Sequence, residues 1–298
     1  MRLPARLSCL LLTTAALPAA AALPEGPPPT LATAWTVTAW SLLPLTALAL
    51  VYAAGLARLR HAPESREDIT PRHVAAFGGG LLALVLALVW PLDAFGAYAL
   101  SAHVAQHMTL LALAPPLLLS GRLAQVSCAA WPRAGADRLQ AWLRPLTPIA
   151  QSLSLATVAH VATMLLWHLP GATAASLASE PVHRMMLASI LLAGLWFWSA
   201  VWHRRSTDAG AVGGLVALVT VMMSMGFLGA LLTFAPRLLY PTFTDRALLV
   251  GLDPLRDQQL AGLLMWVVSG APHLVVGLSL VIALMRRVRG AAESPALR

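Results

Sequence analysis

Residues 102–122 read AHVAQHMTLLALAPPLLLSGR. His103 and His107 stand four positions apart, so on a helix they share one face, about 6 Å apart along the axis. An apolar run follows them with no acidic or basic residue before Arg122, and it is long enough to cross a bilayer. A membrane helix that opens on paired imidazoles decides the class of fold and raises the first question about function.

The rest of the chain agrees with a membrane setting. Of its 298 residues 58% are hydrophobic and 11% charged, and the mean hydropathy is +0.74. Soluble domains carry about 25% charged residues. Seven apolar segments, near 35–57, 73–92, 99–119, 148–169, 183–203, 211–235 and 257–285, account for most of the length at roughly 20 residues per span. No soluble domain of ordinary size fits beside them. The predicted fold is an all-α integral membrane protein, a seven-transmembrane-helix bundle over residues 35–285.

A net charge of +8 and a pI near 11.1 could suggest nucleic acid, but the charges lie between apolar runs. All 20 basic residues are arginine, and the lack of lysine excludes a retinal-type Schiff base. Arginines cluster at 58, 60, 66 and 72; at 122, 133, 138 and 144; at 204 and 205; and at 286, 287, 289 and 298. The alternate connections hold fewer: Arg184, then Arg237, Arg246 and Arg256. That bias predicts an outer N-terminus, a cytoplasmic C-terminus and contact with anionic lipid. Residues 1–22, with Arg2 and Arg6 before a short apolar core, have a signal-peptide pattern with cleavage near Ala20 to Ala22, which predicts the same orientation. Residues 23–34 are a Pro-rich linker and 286–298 a cytoplasmic tail. The two cysteines, Cys9 and Cys128, form no CxxC pair and indicate no disulfide framework. Gly78-Gly79-Gly80, inside the second span, reads as a helix-packing surface.

Sorted by depth on this topology, four of the nine histidines fall at the outer rim: His103 and His107 on the third span, His168 closing the fourth in WHLPG, and His183 opening the fifth in EPVHRMML. His160, Met164 and His168 form a stripe at i, i+4, i+8, and His183 with Met186 is i, i+3. Imidazole with thioether is a ligand set suited to copper, Cu(I) in particular. Asp257 and Asp93 fall at the same level, where either carboxylate could orient an imidazole. The candidate metal ligands are therefore His103, His107, His168 and His183 with Met186 or Met164, and Asp257 in support. His160 and His273 lie deeper; His273, after Gly270 and Pro272, could instead serve a carbonyl freed at a kink. Met222, Met223 and Met225 read as core. No Walker loop, GxSxG elbow or HExxH pair occurs, so a non-enzymatic binding protein is expected.

Taken together, AHVAQHMTLLALAPPLLLSGR, WHLPG with EPVHRMM and LLAGLWFW, and DQQLAGLLMW resemble the CtaG-type assembly factors of caa-type cytochrome c oxidases, over residues 35–285. The resemblance implies a seven-helix chaperone of the bacterial plasma (inner) membrane that assists maturation of a haem–copper oxidase at copper delivery. Its partners would be the oxidase subunit carrying the copper–haem centre and the lipid bilayer, with no nucleic acid. The family pattern falls on His103, His107, Trp167, His168, Pro170, His183, Asp257 and Gln258. After MW the chain reads VVSGAPH where the family suggests a proline–glycine turn. Other readings are a copper permease stepping inward through His160 and His273, a haem-binding membrane protein, and a scaffold whose histidines only hydrogen-bond.

Overall fold

The computed structural model describes residues 23, 26–61, 69–132, 135, 138, 141–142 and 144–293. The expected signal peptide, Arg66, Arg133 and Arg298 lie outside the described residues. Among those described, all regular structure is helical. Seven helices make the bundle: α1 (Ala39–His61), α2 (Pro71–Leu88), α3 (Leu100–Ser120), α4 (Leu153–Trp167), α5 (Glu180–Arg204), α6 (Asp208–Phe234) and α7 (Pro254–Arg289). Six are long and apolar enough to cross a membrane alone, and the chain is a multi-pass membrane protein.

The exception is α4. Its 15 residues reach only about 22 Å, short of a hydrocarbon core of about 30 Å. It becomes a span only with the segment Arg144–Ala150, from which it turns by 68°. Ser152 accepts a hydrogen bond from Leu155 N at its start. At its other end Pro170, which has no N–H to donate, begins the separate helix Pro170–Ala178. His168 and Leu169 occupy the break.

Large apolar side chains face outward, among them Val158, Leu192, Met223, Phe227 and Val267, while histidine, glutamine, aspartate and hydroxyl side chains are buried. In lipid, polar groups have no water to bind and turn toward one another. The central helix is α3, two-thirds buried (67%) against 17% for α1 and α7, with α2, α5 and α7 packed around it. The core reading of three methionines holds for Met225, which is buried, but not for Met223, which is 65% exposed. Positions 223 and 225 point about 160° apart around the helix at 3.6 residues per turn, so they cannot share one face.

Both proline-bearing inner helices widen before their prolines. In α3 the segment Thr109–Leu113 is π-helical ahead of Pro115 and Pro116, and in α7 Leu264–Val268 is π-helical ahead of Pro272. Pro115 cannot donate to Leu111 O, four residues back; Trp198 Nε1–H on α5 does so at 3.1 Å. The approach that permits this needs Gly194, where a Cβ would lie 2.8 Å from Leu111 O. Of the Gly78–Gly80 run only Gly80 is pressed, with Leu118 N 2.9 Å from a Cβ there.

Candidate functional site

Three imidazoles meet at the bundle end where α3, α5 and α7 begin. His103 and His107 project from the first turns of α3, their ring centroids 4.4 Å apart, and His168 lies 5.2 Å from His107, nearly perpendicular to it. All three are buried, at 1%, 1% and 6% exposure. His168 closes α4 as its C-cap residue, its N–H still bonded to Met164 O at 3.2 Å, so the last turn of the helix carries its ring to the cluster.

His168 Nδ1 lies 2.7 Å from Met164 O. A carbonyl can only accept, so Nδ1 carries the proton and Nε2 keeps the lone pair. That Nε2 is bare, as are both nitrogens of His103 and of His107. The backbone at Gly96 is near enough to His103 to act electrostatically but lies outside hydrogen-bond geometry. Leaving a buried polar atom unpaired costs about 1–3 kcal/mol, and unpaired buried groups gathered at one place mark a functional site.

The walls come from the connections. Phe243, before α7, sets its ring edge against His103 at 5.7 Å. The Tyr240 hydroxyl donates to His168 O, and burial pushes that phenol up to about 12, so it stays a donor. Neither residue is legible in RLLYPTF beforehand, because a loop has no period from which facing can be read. Gln106, between the two histidines in sequence, donates through Nε2 to Ala87 O and to Asp93 Oδ1, both at 2.8 Å. A lone amide inside an apolar run was the available signal.

His183 stands beside the three rather than among them. Its Nε2–H donates to Asp93 Oδ1 at 2.9 Å, with side-chain exposures of 22% and 19%. Burial would raise the Asp93 carboxyl, but the hydrogen bond and charge of His183, with the Gln106 amide, outweigh it and hold the group below its usual range. Met164 and Met186 are both buried; Met164 meets the cluster through its carbonyl. Among the described residues no three His, Cys, Asp or Glu side chains are placed around one metal position. The rings offer pairs of donors.

Asp257 serves α3, not a ring. Its Oδ2 accepts from Leu100 N at 2.6 Å and its Oδ1 from Ser101 N at 3.2 Å and from Ser101 Oγ. A carboxylate at a helix N-terminus satisfies exposed donors and the helix dipole together. Gln258 secures the wall: its Oε1 accepts from Leu239 N at 2.6 Å and its Nε2 donates to Arg237 O at 3.1 Å. Asp257→Ala is expected to destabilise the protein by about 3 kcal/mol, because buried N–H groups lose a charged acceptor. Equilibrium unfolding in mixed micelles measures it; a change under about 0.5 kcal/mol, the size of an ordinary surface substitution, would show the cap to be dispensable.

A model of the cytochrome c oxidase caa3 assembly factor family (Caa3_CtaG) matches residues 50–287, most of the chain. No curated protein and no solved structure matches it.

Proposed function

The chain belongs to the cytochrome c oxidase caa3 assembly factors, and from that premise we propose that it carries copper to the oxidase subunit holding the copper–haem centre, through His103, His107 and His168. One observation carries this reading: five buried imidazole nitrogens, two on His103, two on His107 and one on His168, have no hydrogen-bond partner. A neutral imidazole has one lone pair, so the cluster presents three neutral nitrogen donors. Cu(I) accepts such donors, whereas calcium and magnesium need oxygen.

Pairs of donors suit a carrier. A closed four-ligand cage holds an ion as structure, while one held by a pair of neutral nitrogens near the bundle end can leave for a site with more ligands. The Asp93–His183 pair, partly exposed, forms the mouth. In this reading the mouth faces outside the bacterial plasma membrane and the C-terminus faces the cytoplasm. The arginines at the other ends of the spans, from Arg58 and Arg60 to Arg286, Arg287 and Arg289, support that orientation. The protein then acts by holding and releasing an ion, without catalysing a reaction.

Oxidase isolated from cells lacking this chain is expected to contain its haem but less than half the copper of the oxidase from complemented cells. Elemental analysis against haem absorbance measures the ratio. An oxidase with its full copper complement in those cells would end the proposal.

A further inference from the structure

Deeper in the bundle a second pair of imidazoles meets. His160 on α4 and His273 on α7 are both 0% exposed, with ring centroids 6.3 Å apart. His273 Nδ1–H donates to Ser269 O at 2.8 Å, which leaves the lone pair on Nε2, and that nitrogen is bare. Neither nitrogen of His160 has a partner; the backbone at Ala193 is felt electrostatically but lies outside hydrogen-bond geometry. Phe197 lies 4.6 Å from His160 and Trp198 4.7 Å from His273, ring centre to ring centre. Aromatic rings thus pack directly on both imidazoles.

We propose that His160 and His273 form a second, intramembrane site for Cu(I), bound through one nitrogen of each ring. Two metal–imidazole bonds of about 2 Å each, with the ring radii added, span close to the observed separation. The donors are two and neutral, and no third His, Cys, Asp or Glu joins them among the described residues. A divalent ion there would bring two uncompensated charges into an apolar interior and zinc would lack its four ligands; a soft monovalent ion avoids both. His160 lies about 12 Å along α4 from His168, with buried Met164 midway, so the inner pair sits in line with the outer cluster.

The proposal shares only the identity of the metal with the outer-cluster reading, and one experiment separates them. The full-length protein in detergent is titrated anaerobically with Cu(I) against a chromophoric Cu(I) chelator, and the bound ion is examined by X-ray absorption. Wild type is expected to take two ions. His103→Leu/His107→Leu keeps one with two nitrogen neighbours, and His160→Leu/His273→Leu keeps the other. One ion in wild type, lost in the outer variant and kept in the inner one, overturns the inner site and leaves the outer. One ion with the reverse pattern upholds the inner site and removes the outer, and no ion at all removes both. If the inner variant does not fold, the wild-type count and the spectrum of the outer variant decide: more than two neighbours around the retained ion overturns two-coordination.

Discussion

Replacing His103 and His107 together by leucine is expected to bring oxidase activity down to that of cells lacking the chain, while the protein stays folded and in the membrane. Neither ring makes a hydrogen bond, so no partner is orphaned by the change. Removing four unpaired buried nitrogens (two per ring) relieves a burden of about 1–3 kcal/mol for each polar atom that wanted a partner, and leucine fills most of the space. Thermal stability should therefore hold or rise while Cu(I) affinity at the outer cluster falls by about 100-fold or more, beyond the 10–100-fold typical of losing a supporting contact. Opposite movement of stability and activity is the signature of residues kept for function at a structural cost. Normal oxidase activity in a strain carrying the double variant at wild-type abundance would refute a role for this pair. A variant that fails to insert would refute the claim that the rings contribute nothing to folding.

Much of this arrangement was readable in the sequence because membrane spans declare themselves by length and apolarity. Six of the seven expected spans appear as single helices. The fourth does not, since the run at 148–169 hides a bend near Gln151 and a stop before Pro170 that hydropathy does not register. Depth was legible as well: the expected topology put His103, His107, His168 and His183 at one rim, and the first three do meet. Rotation and rotamer were not, because they depend on packing between helices. That is why His183 is found with Asp93 and why Asp257, a candidate in support of a ring, instead caps α3. The DQQLAG motif illustrates the gap. Its conspicuous residues suggest chemistry, yet Asp257 holds α3, Gln258 holds the wall of the cluster, and Gly262 holds two helices together.

Gly262→Ala is expected to be among the most damaging single-atom additions in the chain, and Gly270→Ala, two turns further along α7, to be harmless. A Cβ at Gly262 would lie 2.4 Å from Gly229 O, 2.7 Å from Thr233 N and 2.3 Å from Thr233 Oγ1. Two of those atoms are backbone of α6, and Thr233 Oγ1 is itself tied to Gly229 O at 2.8 Å. No side-chain rotation relieves the overlap, so α6 and α7 must part. Small residues matter at such crossings because helix association in lipid rests on close backbone packing rather than on a hydrophobic drive. Parting them would cost roughly 3 kcal/mol, the upper range for overpacking a core. It would also displace Asp257 from the start of α3, so the histidine cluster should loosen with it. At Gly270 a Cβ meets nothing within 4 Å, and alanine should gain up to about 1 kcal/mol by restricting the unfolded backbone. Unfolding temperature and monodispersity of the two variants in detergent test the contrast. Equal stability would mean that α6 and α7 do not cross at Gly229 and Gly262, and the placement of Asp257 beneath α3 would fall with that crossing.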